Sequence, residues 1–187
     1  MKTAFGFIIY LIFFMPYSIT MANEEASYDI VHETEVYEIR YYSDRFVVQV
    51  INSSDDNSFR KLFNYISGDN KTSEEIKMTV PVTQTIKDNE TYMQFYLPSK
   101  FTKETIPIPS NPDIEITTVK EGYFAVIKYT GRSSDKNFIK YSKTLYQKLL
   151  DDKILIKGTA IKATYNGPFT LPPFRRNEAM FKVDWKN

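Results

Sequence analysis

The 187-residue chain has no cysteine and a single histidine, His32. Without cysteine there is no disulfide, no thiolate nucleophile and no thiolate metal centre, so the fold must rest on packing. Hydrolytic and acid–base chemistry needs a positioned base with a partner, and His32 has none nearby in sequence. It reads as an exposed linker residue ahead of the first strand. A glycine-rich phosphate loop, an H-E-x-x-H helix and a G-x-S-x-G elbow are also missing. There is no excess of one charge: 24 Lys and Arg stand against 23 Asp and Glu. A nucleic-acid partner would need a basic face, so none is expected. An enzyme is therefore a less economical reading than a binding protein.

No long apolar run occurs beyond the first residues. There, Lys2 precedes Ala4-Phe5-Gly6-Phe7-Ile8-Ile9-Tyr10-Leu11-Ile12-Phe13-Phe14-Met15, followed by Pro16 and a small-residue exit at Thr20-Met21-Ala22. A positive start, a short apolar stretch and an A-x-A-like end describe a secretory signal peptide over residues 1–22. An uncleaved signal anchor is the other reading, against which the run is short for a membrane span. Residues 23–187 then form the mature, exported chain, with no membrane partner. They contain no Gly/Ser-rich linker and read as one domain. Asn52, Asn70 and Asn89 each head an N-x-S/T triplet, which makes them candidate glycosylation sites and the chain a candidate glycoprotein.

What is present is a unit that occurs twice. Val36–Tyr41 and Arg45–Ile51 alternate as strands around a Tyr42-Ser43-Asp44 turn. Asp55-Asp56 opens a helix bearing Phe59, Leu62, Phe63 and Ile66 at helical spacing, and Gly68 closes it. Strands at Ile76–Val82 and Tyr92–Leu97 complete the unit. After a proline-rich connection over 106–112, the pattern repeats. Strands at Ile114–Val119 and Tyr123–Tyr129 are followed by a helix begun by Ser133-Ser134-Asp135, with Phe138, Tyr141, Leu145 and Leu149 on one face. Strands at 160–165 and 178–183 end the chain. The fold class is α+β: duplicated β-β-α-β-β halves that form a distorted eight-stranded antiparallel barrel flanked by two helices.

Within Ile76-Lys77-Met78-Thr79-Val80-Pro81-Val82, period-two alternation puts Ile76, Met78, Val80 and Val82 on one face and Lys77 and Thr79 on the other. Proline cannot donate to a ladder, so Pro81 predicts a sheet edge or a bulge. A bent apolar strand of this kind either lines a pocket or is simply a half-buried edge. The adjacent acids Asp55-Asp56 and Glu74-Glu75 lie at element boundaries, where capping and solvation account for them. Arg175-Arg176 follows an aromatic, proline-rich loop that can hold the guanidinium groups in place.

Three blocks in order carry a resemblance: Val36-Tyr37-Glu38-Ile39-Arg40-Tyr41-Tyr42, Ile76-Lys77-Met78-Thr79-Val80-Pro81-Val82 and Arg175-Arg176-Asn177-Glu178. From about Tyr28 to its C-terminus the chain resembles the SOUL heme-binding protein family. That resemblance implies the duplicated barrel, and binding of heme or a related tetrapyrrole without turnover, for sequestration or transport. Some members place an axial histidine directly after the Tyr-Glu-Ile-Arg stretch. Tyr41 stands there in this chain, as a candidate phenolate ligand of iron or as an ordinary strand tyrosine. Other members hold the macrocycle in an apolar groove beside the first helix, which here would comprise Phe59, Leu62, Phe63 and Met78. Arg60 is placed to meet the propionates, and Arg175 and Arg176 to anchor the last loop through Glu178 or backbone carbonyls. The other reading is a secreted interaction module whose groove takes a peptide or another apolar ligand without heme.

Overall fold

A computed structural model describes residues 23–52 and 57–186. The expected signal peptide at 1–22 and the helix-opening pair Asp55-Asp56 lie outside the described residues. In chain order the elements are β1 (Glu24–Glu25), β2 (Asp29–Glu33), β3 (Glu38–Tyr42), β4 (Arg45–Asn52), α1 (Ser58–Ile66), β5 (Thr79–Val80), β6 (Val82–Lys87) and β7 (Glu90–Tyr96). The second half supplies β8 (Glu115–Val119), β9 (Gly122–Tyr129), α2 (Asp135–Asp151), β10 (Leu155–Ile156), β11 (Ile161–Thr164) and β12 (Asn177–Asp184), with a 3-10 turn at Pro172–Phe174.

The main sheet runs β2-β3-β9-β12-β11-β6-β7-β4-β8, with β10 paired to β12, and every pairing along it is antiparallel. Seven of these strands lie where the two halves were expected to place them, β6 shares only Val82 with the strand expected at 76–82, and β2 adds a ninth at one edge. From β3 to β8 the order is a palindrome about the β11–β6 junction when the halves are exchanged. The duplication is thus visible in the topology, with one feature hidden from the sequence. Neither Tyr42-Ser43-Asp44 nor the Glu121-Gly122 turn closes a hairpin. β3 crosses to pair with β9, Ile39 opposite Ala125, and β8 crosses to pair with β4, Ile116 opposite Val48. Each half lends its first strand to the other.

Register places both helices on one face of the sheet. α1 buries Leu62, Tyr65 and Ile66 against Val48, Val50 and Phe95, and α2 buries Leu145 and Leu149 against Ile39, Ala125, Ala179 and Phe181. The spacing of Phe138, Tyr141, Leu145 and Leu149 is therefore realised as expected. Ser134 caps α2, its side chain accepting from the Asn137 amide. Gly68 follows α1 at φ +108°, a conformation that favours glycine. The opposite face carries a third cluster, in which Tyr42, Phe124, Val126, Ala163 and Met180 meet.

The Ile76–Val82 block departs from simple alternation. Ile76–Met78 is not strand, β5 pairs in parallel with β1, and the chain enters β6 through a cis Val80–Pro81 bond. Strand β6 is interior, between β11 and β7, so Pro81 marks a break between two strands and not a sheet edge. Thr79, expected to face outward, is buried and donates its hydroxyl to the Tyr96 carbonyl at 2.6 Å. Val80 packs with the third cluster, whereas Ile76, Met78 and Val82 pack with α1. His32 is corrected too: it lies in β2, half-buried, its ring centroid 4.9 Å from that of Trp185.

Candidate ligand-binding site

Helix α1 presents two faces, and the apolar residues expected on a single one divide between them. Leu62 is fully buried and Ile66 nearly so, whereas Phe59 and Phe63 are 46% and 48% exposed. The two phenyl rings stack, with centroids 6.1 Å apart and planes 12° from parallel. Phe59 also meets Phe95 of β7 edge-on at 5.2 Å. Residues four apart sit one above the other on a helix, so the pair forms a short aromatic ridge whose outer surface faces solvent. Arg60, next along the helix, is exposed. Met78 is half-buried and packs on the same core. Of the expected groove residues, Phe59, Arg60, Phe63 and Met78 have surface to offer a ligand. Leu62 supports the ridge from within the core.

Tyr41 belongs to a different place. It lies on β3, five steps along the sheet from β7. Its ring packs on Tyr123 at 5.2 Å, and its hydroxyl donates to Glu121 Oε2 at 2.7 Å. That hydrogen bond raises the phenol's pKa, which opposes formation of the phenolate that iron would need. The hydroxyl is held by a carboxylate and the ring by the second half, so Tyr41 does not join the α1 ridge in one site.

The matching motifs at either end of the chain meet on the face away from the helices. Arg40 is fully buried, and its Nη1 and Nη2 each donate to a Glu178 oxygen at 2.9 Å. Arg40 also pairs with Glu38 through Nε and donates to the Tyr42 hydroxyl at 2.9 Å. Glu178 accepts from Tyr165 at 2.7 Å and from Arg176 at 2.9 Å. Arg176 forms a bidentate pair with Glu25 of β1 at 2.9 and 2.8 Å. Burial pushes the Glu178 carboxyl upward, but its hydrogen bond and attraction to Arg40 outweigh this and hold it below the ordinary range. Burial of Tyr42 pushes its phenol up to about 12. This network joins the two halves and the N-terminal strand. Arg176 anchors through Glu178 as expected, and Arg175 donates to the Thr170 and Pro168 carbonyls. Arg40 was missed as the network's centre. Its one sequence signal is that Glu38, Arg40 and Tyr42 share a strand face by period two.

The sequons differ in access. The Asn70 side chain is buried, donating to the Tyr65 and Glu74 carbonyls at 3.2 and 2.8 Å and accepting from the Thr72 and Glu74 amides. The folded chain therefore withholds Asn70 from modification, contrary to expectation. Asn89 is exposed in the β6–β7 turn, with Asp88 and Asn89 at φ +53° and +64°. The Asn52 side chain lies outside the described residues.

Comparison with known proteins agrees with this architecture. Residues 23–182 match the profile of the SOUL heme-binding protein family. The chain is 29% identical over 168 residues to heme-binding protein 2 of Mus musculus, covering 82% of each chain. Among solved structures, the EcmrR C-terminal domain superposes with a TM-score of 0.61 at 13% identity, over 84% of this chain and 98% of that one. A protein from Listeria innocua titled a hydrolase gives 0.57 at 10% identity, over 82% and 94%. At such identities these structures share the fold alone.

Proposed function

The chain belongs to the SOUL heme-binding protein family, and we propose that it binds heme or a related tetrapyrrole without turnover, on the aromatic ridge of α1, for sequestration or transport. The observation that carries this reading is the stacked, half-exposed Phe59–Phe63 pair. Two large apolar side chains held parallel at the surface offer a flat macrocycle a ready contact at little conformational cost. Covering the exposed half of each ring contributes about 1 kcal/mol per ring, taking a fully buried Phe as worth roughly 1.5–3 kcal/mol. Met78 adds a polarizable flank, and Arg60 supplies a cation for a propionate while its stem lies on apolar surface. Bound heme supplies redox-active iron; the protein's residues supply shape, apolar cover and charge. The exported setting that we propose for this role rests on the apolar run at 4–15.

The test is a visible-absorption titration of the protein with hemin and, separately, with metal-free protoporphyrin. Grip by shape predicts similar affinity for both, and a loss of at least about tenfold for both in Phe59→Ser/Phe63→Ser, which removes at least about 1.4 kcal/mol of contact. A strong preference for the iron form, or an unaffected double variant, refutes the ridge. No Soret change in the wild type would favour an interaction module that takes a peptide or another apolar ligand.

A further inference from the structure

We propose that a second ligand site, separate from the α1 ridge, lies beneath the N-terminal strand and takes the carboxylate of a small amphipathic acid, with Arg45 as its anchor. A cavity of about 460 Å³ opens there, at the end of the sheet where β4 begins and β7 ends. That volume is within the range of ligand pockets, roughly 300–1,000 Å³. Residues 24–27 form one wall, and Phe46, Leu97 and Phe101 contribute apolar surface.

Arg45 is the reason to assign an anion. Its guanidinium carbon lies 3.9 Å from the Tyr42 ring centroid, 4.9 Å from Tyr96 and 5.4 Å from Phe124. Aromatic faces hold the cation in place, yet its Nε is buried without a hydrogen-bond partner. Among the described residues Arg45 forms no ion pair. The acids that share the cavity are committed elsewhere. Glu25 is paired bidentately with Arg176, and Glu24 accepts from the Ser99 amide at 2.7 Å. Asp44 accepts from Lys120 Nζ and from the Glu121 amide, both at 2.8 Å. Arg45 is thus the one Lys or Arg that lines this cavity, and it has no ion pair there, while Glu24 has the neutral Ser99 amide as its partner. A fork of preset N–H donors beside apolar walls suits a carboxylate with a hydrocarbon body. That chemistry has two sources, a free amphipathic acid or a propionate of the tetrapyrrole, and we assign the free acid because none of Phe59, Arg60, Phe63 and Met78 lines the cavity.

Calorimetric titration of the whole protein with octanoate, octan-1-ol and octylamine tests the assignment. The site predicts saturable octanoate binding at least about tenfold tighter than octan-1-ol or octylamine, and loss of that preference in Arg45→Gln. Equal affinity for acid and alcohol in the unmodified protein overturns the proposal without recourse to any variant, as does absent octanoate binding or an Arg45→Gln protein that keeps the preference. Octanoate is also titrated into hemin-saturated protein and into Phe59→Ser/Phe63→Ser. Unchanged affinity in both supports a separate site, whereas competition by hemin overturns it and assigns Arg45 to a propionate. If hemin does not bind at all, the octanoate result stands alone.

Discussion

Replacing Arg40 by Met probes the junction of the two halves most directly. Arg40 and Glu178 have fully buried side chains joined by two hydrogen bonds of 2.9 Å. Removing one member of a buried pair costs roughly 3–5 kcal/mol, because the other charge is left without compensation. Glu178 keeps Tyr165 at 2.7 Å and Arg176 at 2.9 Å, and Glu38 keeps Lys128 at 3.0 Å, so the lower end, about 3 kcal/mol, applies. For a chain of this size that is a fall of about 6–12 °C in melting temperature. Urea unfolding followed by circular dichroism measures it. The cost must also depend on pH. In the wild type, Glu178 sits below its ordinary value of 4.5, so its stabilisation is present above that value and is lost as pH falls through the lowered folded pKa. In Arg40→Met the Arg40 hydrogen bond and charge are gone while burial remains, so the carboxyl takes up its proton at higher pH and escapes the penalty. The gap between the two proteins therefore narrows on acidification. Arg40→Met/Glu178→Leu should recover about 1 kcal/mol or more relative to the single variant. A single variant within about 0.5 kcal/mol of wild type, or a gap that widens toward acid, would refute a clamp made by this pair.

Four further outcomes are expected. Leu145→Ala, at a fully buried position beneath α2, should cost about 2–5 kcal/mol in the same unfolding assay. Ser134→Ala should cost about 1 kcal/mol through loss of the α2 cap, read as a lower thermal midpoint. Tyr41→Phe should leave the hemin spectrum and affinity unchanged, since its hydroxyl serves Glu121; a shifted Soret band would instead show ligation. Peptide mapping of protein expressed through a secretory route should find a glycan at Asn89 and none at Asn70, whose amide is buried and hydrogen-bonded.

Local pattern carried the sequence reading a long way, and failed where a partner was distant. Helix α2 was legible because Phe138, Tyr141, Leu145 and Leu149 repeat at 3.6 residues and Ser134 sits where a cap belongs. In α1 the same period was visible, but Phe59 and Phe63 differ from Leu62 and Ile66 by a rotation of only about 60°. Periodicity alone does not say which of two adjacent apolar stripes meets the sheet, and here the stripe left outside is the one available to a ligand. Pairing was harder still. Strands β3 and β4 are joined by a short turn, yet they do not pair with each other: Ile39 finds Ala125 and Val48 finds Ile116. Arg40 and Glu178, which meet in the core, resemble solvent-facing charges at opposite ends of the sequence.

The strand exchange has a mechanical consequence. Here β3 hydrogen-bonds to β9 and to β2, while the second partner of β4 is β8. Severing the chain between Pro112 and Asp113 leaves the first fragment with β4, β6 and β7 as a small sheet, and with β3 beside nothing but β2. In the second fragment β9, β11 and β12 lose β3 and β6, and β8 has no neighbour at all. Arg40 and Glu178 would each be left exposed or unpaired on opposite fragments. Neither fragment should show a cooperative thermal transition alone, and mixing them should restore one together with the near-ultraviolet signal of the packed aromatics. A first fragment that melts cooperatively by itself would mean that the α1 core is self-sufficient and that the exchanged strands are secondary to it.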